Sequence, residues 1–370
     1  MSVLKDYLRD LAPLVNLDCG THNAAGVARA AAIMKGLFDS IGFATELVEL
    51  DPKFGPVLVA KNKPESDHFD VLFNGHLDTV FPDGTAAARP FSIDGDRAHG
   101  PGCSDCKSGV LAAYYACKLA RPEDLERLSI CCVFNPDEEW GSPCSHAFLA
   151  KIGARASRAL IFEAARANGE LVRSRKGVGD YRITFHGRTA HAGNNPEAGA
   201  NANLAAIRFA LAASELADPS IGTTVNPGVI EGGTASNVIS AQCRLNIDTR
   251  YRFDKDGEAL DAQLEAFIRH TWVEGVTQEM TKILVPAMPL SENTRELAAQ
   301  ITEAAKMAGF EAKWVDAGGG SDGNRIARAG IPVVDGCGPA GAGFHTDREY
   351  LRLDTVEERI RMLVNFLTLI

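Results

Sequence analysis

Near the N-terminus, Leu4, Tyr7, Leu8, Leu11, Leu14 and Val15 recur at three- and four-residue spacing, which predicts a helix with one apolar face. A second helical pattern runs from about Ala24 to Ile41 and closes at Gly42. Strand-like apolar runs follow at 45–50 and 57–60. From there the patterns alternate: strand 71–73, helix 108–120, strand 129–134, a short helix near 145–151, strand 159–162. Such alternation predicts an α/β layer around a mainly parallel sheet.

The texture changes near Arg175. Strand patterns at 180–185, 223–230, 242–248 and 278–284 and helical patterns at 202–216 and 257–270 make a compact α+β set of domain size. Helix 294–308, strand 331–334 and helix 356–367 then restore the α/β pattern. The expected organisation is a catalytic domain of residues 1–174 and 287–370, interrupted by an inserted domain of residues 175–286.

In parallel sheets ligands bind beyond the carboxyl ends of the strands. Polar residues follow three of the predicted strands: His76 and Asp78, then Asp137-Glu138-Glu139, then Glu163. The loop Gly100-Pro101-Gly102-Cys103-Ser104-Asp105 adds an acid just before a helix. His76 and Asp78, two residues apart on extended chain, project to one side, so that one can ligate a metal and the other orient it. Two divalent ions sharing a carboxylate polarise a carbonyl and lower the pKa of a water. Such a centre needs about five ligating side chains plus one free carboxylate for the proton. His76, Asp105, Glu139, Glu163 and His345 can supply the five, and Glu138 the sixth. Taken alone, the Asp137-Glu138-Glu139 run reads as a solvated loop edge; joined to the other four ligands it does not.

Composition narrows the remaining choices. The chain has 370 residues, 45% hydrophobic and 23% charged, with 38 Lys and Arg against 48 Asp and Glu. A net charge of -10 does not favour nucleic acid or an anionic membrane, and points to a small polar substrate. No basic, apolar leader and no membrane-length apolar run is visible, so a cytoplasmic location is expected. Nine cysteines, several in apolar or helical settings, suggest reduced thiols. Cys103 and Cys106 form a C-x-x-C, but no second pair completes a zinc knuckle. Gly318-Gly319-Gly320 lacks the Lys-Ser/Thr of a P-loop and reads as a turn near the substrate.

The motifs His76-Leu77-Asp78-Thr79-Val80, Gly100 to Lys107, Asp137-Glu138-Glu139-Trp140-Gly141-Ser142, Ala190-His191-Ala192-Gly193 and Asn237-Val238-Ile239 before Asp248-Thr249-Arg250 resemble the di-zinc aminopeptidase/carboxypeptidase family. That family includes glutamate carboxypeptidases, acetylornithine deacetylase, succinyl-diaminopimelate desuccinylase and aminoacylases. The segment Asn16 to Thr21 and the Gly318-Gly319-Gly320-Ser321-Asp322 loop look most like the glutamate carboxypeptidases.

The resemblance implies that His76 and Glu163 bind one zinc, that Glu139 and His345 bind the other, and that Asp105 bridges them. Cobalt or manganese could substitute. It implies that Asp78 braces His76, that Glu138 is the general base, and that the Asp105-Cys106 bond is cis. His191 is expected to reach a neighbouring subunit's site and stabilise an oxyanion; the plainer alternative is a histidine bonding backbone in a turn. Arg250, Asn237 and Arg175 are candidates for the substrate carboxylate, with Ser321 beside them, although Arg250 could equally pair with Asp248. The implied protein is a homodimer, joined through the inserted domain, that acts on a small peptide or N-acyl amino acid. A carboxypeptidase releasing glutamate or a similar residue is the first expectation, with a deacylase or dipeptidase second and a non-catalytic binding protein a remote third. Cys106, Ser108 and Cys144 depart from the family's usual residues near the site.

Overall fold

The chain is described by a computed structural model covering residues 3–370. It divides into two units: one takes in the chain up to Ser174, Pro289–Ala317 and Ser321–Ile370, the other Arg175–Met288 and Gly318–Gly320.

In the first unit the strands Val71–His76 and Ile130–Asn135 are buried along their whole length, as continuous apolar runs covered on both faces should be. They lie at the centre of a six-stranded sheet in the order Ala44–Val48, Val57–Lys61, Ile130–Asn135, Val71–His76, Ala159–Ile161, Val333–Val334. The last four run parallel. The first two form an antiparallel edge, because the link between them, residues 49–56, is too short for a parallel crossover. Register places His76 opposite Asn135 and Asn74 opposite Ile161. The chain therefore leaves all three strands at one rim, where His76, the Asp137–Glu139 turn and Glu163 follow.

The helix Lys107–Leu119 is buried for most of its length, and its core includes Phe38, Phe73, Tyr114, Phe134 and Phe162. Close approach is possible because residue 109 is glycine: a Cβ there would lie 1.8 Å from the carbonyl oxygen of Phe162. That contact sets the start of the helix, and hence Asp105, against the residue preceding Glu163. A small antiparallel sheet of Gly341–Ala342, Tyr350–Arg352, Arg97–His99 and Ser92–Asp94 was not visible in the hydropathy pattern, its strands being only two or three residues long.

All nine cysteines are free thiols. Cys106 donates to the carbonyl of Phe162 (3.0 Å) and Cys103 to that of Ala98 (3.5 Å), so the C-x-x-C is part of the packed interior. Among the described residues no helix is long and apolar enough to cross a membrane.

The C-terminal helix Asp354–Leu369 is anchored by a buried acid. Asp124 accepts from Arg121 (2.8 and 3.0 Å), from Arg127 (2.9 and 3.1 Å) and from the Thr368 hydroxyl (2.9 Å), and Arg127 also donates to the carbonyl of Leu367. Arg121 in particular pulls the carboxyl down to about 2, against the opposing effect of burial. A folded-state pKa below the unfolded value of about 3.9 stabilises above that pH, and the contribution fades as pH falls toward 2. Asp124→Ala should therefore cost about 2 kcal/mol at pH 7, discounted for the exposed arginines, and much less near pH 2.5. Urea unfolding at the two pH values checks this; an equal loss at both would contradict it.

The second unit shows clean alternation. Its antiparallel sheet runs Thr224–Gly232, Gln242–Tyr251, Gly177–His186, Thr277–Val285. Tyr181, Ile183 and Phe185 of one strand and Cys243, Leu245 and Ile247 of its neighbour point to the core with Phe209 of helix Ala202–Ser214 and Leu264 of helix Asp254–Arg269. Period-two patterning thus gives one face covered by helices and one left open.

Candidate metal centre

His76 ends its strand with a fully buried ring. Its Nδ1 lies 3.2 Å from Asp78 Oδ1 and 3.1 Å from the Asp78 carbonyl. Committing Nδ1–H to Asp78 leaves Nε2 as the ligating nitrogen. Nε2 faces Asp105 Oδ1 at 3.2 Å and Glu163 Oε1 at 3.7 Å. Asp78, also buried, accepts the Thr21 hydroxyl (2.7 Å) and the backbone N–H groups of Glu138 and Glu139 (both 3.2 Å). One carboxylate thus orients the histidine and holds the turn that carries the two glutamates.

That turn, Glu138–Trp140, is a single 3₁₀ turn closed by Gly141 at φ 80°. Glu139 Oε2 lies 3.1 Å from His345 Nε2, which in turn lies 3.2 Å from Asp105 Oδ2. His345 adopts φ 61°, in the left-handed region. The peptide bond between Asp105 and Cys106 is cis. The two oxygens of Asp105 are therefore divided: Oδ1 faces His76, beside Glu163, and Oδ2 faces His345, beside Glu139.

The charges explain what such a basin suits. Burial, then repulsion from Glu163, hold the Glu138 carboxyl well above the usual range. Burial also raises Glu139, partly offset by the hydrogen bond to His345. His345 is pushed up to about 10 by Asp105 and Glu139. Burial opposes charging His76, yet Cys106, Glu163, Asp105 and Asp78 outweigh it and raise its pKa. Asp105 is lowered, its hydrogen bonds to His345 and His76 overcoming burial. Four carboxylates converge on two imidazoles, an excess of negative charge and of oxygen and nitrogen donors that fits divalent cations. Single donor atoms of His76, Asp105 and Glu139 all lie within 4.8 Å of one another, as do those of His76, Cys106 and Glu163. Because burial raises the Cys106 thiol and its S–H is given to Phe162, the carboxylates are the better donors.

Other residues behind the site carry no spacing signal. Glu349, fully buried, accepts the N–H groups of Gly102 (2.8 Å), Ser104 (2.9 Å) and Asp105 (2.9 Å). Asp322 accepts from Asn135 Nδ2 (2.6 Å) and from the Ser142 hydroxyl; burial pushes it up to about 6. Ser321, expected beside the substrate carboxylate, has its hydroxyl engaged within the fold. Its hydroxyl donates to Asp335 (2.6 Å) and accepts from Gly323 N–H (3.1 Å), capping helix Asp322–Ala327, because an N-terminal turn needs its free N–H groups satisfied.

The second unit holds the other candidates. His191 Nδ1 accepts from the N–H groups of Gly193 (3.1 Å) and Asn194 (3.2 Å), so the neutral ring carries its proton on Nε2. Asn237 lies alongside, its carbonyl accepting from Ala192 N–H at 2.9 Å. Arg250 grips Asp248 through Nε (2.9 Å) and Nη2 (2.7 Å). Arg175 is buried and donates from Nη1 to the carbonyls of Gly319 (3.1 Å) and Gly320 (3.2 Å), which gives it the glycine loop to hold.

A family model described as Peptidase family M20/M25/M40 matches residues 72–369. Carboxypeptidase G2 of Pseudomonas sp. (strain RS-16) is 29% identical over 367 residues, covering 96% of this chain and 87% of the relative. A succinyl-diaminopimelate desuccinylase of Gluconobacter oxydans (strain 621H) is 27% identical over 356 residues, with 91% of each chain covered. Among solved structures, aminopeptidase PepT from Bacillus cereus superposes with a TM-score of 0.82 over 99% of this chain and 98% of its own, at 21% identity.

Proposed function

The chain belongs to peptidase family M20/M25/M40, and on that premise we propose that this hydrolase is a carboxypeptidase cleaving the amide before a C-terminal residue such as glutamate. The observation that carries the reading is Asp105, whose two oxygens face two separate histidines, with Glu138 beside them. We assign His76, Glu163 and Asp105 to one zinc ion and His345, Glu139 and Asp105 to a second, with cobalt or manganese as substitutes. Bound there, the ions would polarise the scissile carbonyl and acidify a water.

Glu138 takes the proton of the attacking water and delivers it to the leaving amine nitrogen. Asp78 keeps Nε2 of His76 aimed at the ligand set. His191 donates Nε2–H to the oxygen that becomes negative, acting in the site of a neighbouring subunit. Arg250, through the guanidinium edge that Asp248 leaves, and Asn237 hold the substrate carboxylate. Leu204, Ile207 and Leu211, exposed along one side of helix Ala202–Ser214, and Val229 and Ile230 on the edge strand beside it support a homodimer formed through this unit. The relative named Carboxypeptidase G2 supports the carboxypeptidase reading, and the desuccinylase relative supports N-acyl amino acids as the second class.

A panel of dipeptides, acyl-glutamates and N-acetyl amino acids, each with a free and an amidated C-terminus, tests the proposal. Amidation should lower kcat/KM by about 10- to 100-fold, the worth of a charge-assisted pair. Equal turnover of both forms would refute recognition of the carboxylate.

A further inference from the structure

We infer that Glu349 is a positioning residue of the metal centre, one that sets the His345 half of it by holding the backbone of the Asp105 loop. The inference rests on the two-metal reading above. Glu349 stands four residues after His345, and its carboxylate is fully enclosed. Oε1 accepts both Ser104 N–H and Asp105 N–H at 2.9 Å, and Oε2 accepts Gly102 N–H at 2.8 Å. Three backbone donors of one four-residue stretch, including the amide of the bridging residue itself, end on a single side chain.

The topology explains why this acid is in reach. Tyr350–Arg352 pairs with Arg97–His99, His99 standing opposite Tyr350. The Asp105 loop leaves the second strand just where the His345 loop enters the first, so the two ligand-bearing loops are emitted side by side. On the other side of the loop Lys107 Nζ donates to the carbonyls of Leu17 (3.2 Å) and Pro101 (3.0 Å). The N–H groups are thus held by Glu349 and a carbonyl of the same loop by Lys107, as buried backbone requires.

The consequence is asymmetric. His76 is placed by its own strand and by Asp78, and it meets the Asp105 loop across one contact, Nε2 to Asp105 Oδ1 at 3.2 Å. The separation of Asp105 Oδ2 from His345 Nε2, also 3.2 Å, spans two loops that Glu349 ties together, so both of its ends depend on the tie. Loss of the tie should loosen the His345–Glu139 half more than the His76–Glu163 half. Glu349→Gln conserves volume: the amide oxygen can keep two of the N–H groups, while the NH2 is left facing the N–H of Gly102, donor against donor.

Calorimetric titration of the metal-free protein with Zn2+ tests this, with His345→Ala and His76→Ala used to tell the two site classes apart. Glu349→Gln should weaken the class that His345→Ala removes by about 10- to 100-fold, as loss of a supporting hydrogen bond to a ligand does, and leave the other within about threefold. The melting temperature of the metal-free variant should fall by only a few degrees, the cost of one unsatisfied N–H. Unchanged affinities overturn the inference. So does an equal loss at both classes, which would mark a general packing role. A parent protein that binds a single ion, unaffected by His345→Ala, overturns the two-metal reading and the inference with it; two ions in the parent with an unresponsive Glu349→Gln overturn the inference alone.

Discussion

Glu138→Gln is expected to lower kcat by about three to four orders of magnitude while the protein keeps its metal and its fold. The two glutamates of the Glu138–Trp140 turn have separate partners. Glu139 reaches His345 at 3.1 Å, whereas the Glu138 carboxyl lies near Glu163, His76, Asp322 and Glu139, and its backbone N–H is held by Asp78. Glutamine keeps the shape and that backbone bond but has no site to take up a proton. KM should change little, because the lost interaction belongs to the transition state. Turnover assays paired with metal analysis decide the matter. Activity within about tenfold of the parent would remove Glu138 from the proton-transfer role, and a loss of bound metal would make it a ligand instead.

Asp105→Ala is expected to abolish turnover and metal binding together, since it deletes a carboxylate that turns one oxygen to each histidine. The stability effect can be sized by linkage. At a free metal concentration of about 1,000 times Kd, binding stabilises the native state by about 4 kcal/mol. At roughly 2–4 °C per kcal/mol for a unit of this size, chelation should lower the melting temperature of the parent by about 10 °C. The Asp105→Ala protein should melt at the same temperature with and without chelator. A parent protein indifferent to chelation would count against a structural contribution from the metal. A variant that still binds two ions would count against Asp105 as the shared ligand.

Much of the fold was legible because it depends on local period. The fully apolar runs at 71–73 and 129–134 belong to the buried parallel strands, and the alternating 242–248 run to the antiparallel sheet of the second unit. The antiparallel edge of the main sheet was not read, since hydropathy carries no sign of strand direction. The short strands around His99 and Tyr350 were missed for want of length. The family read from the motifs agrees with the match over residues 72–369.

The candidate site divides along the same line. His76, Asp105, Glu139, Glu163 and His345 could be proposed from the chain because strand ends and glycine-rich loops advertise where polar groups converge. Their supports could not. Thr21 is 57 residues from the Asp78 it donates to, Asn135 is 187 from Asp322, and Glu349 is 244 from the Asp105 amide it accepts. Each is an ordinary polar residue until a partner is brought to it. The partners of the Ser321 hydroxyl, Asp335 and the N–H of Gly323, were likewise set by the fold and not by any motif.

By itself, then, the sequence determined the type of layer, the family and the set of residue types able to hold metal and move a proton, because these follow from periodicity and short-range motifs. Only the tertiary structure decided that Asp105 turns one oxygen to each histidine, and that Glu349 and Asp78 hold the loops in that posture. The physical reason is that a buried carboxylate must find donors wherever the fold places them, and those donors lie on segments far apart in the chain.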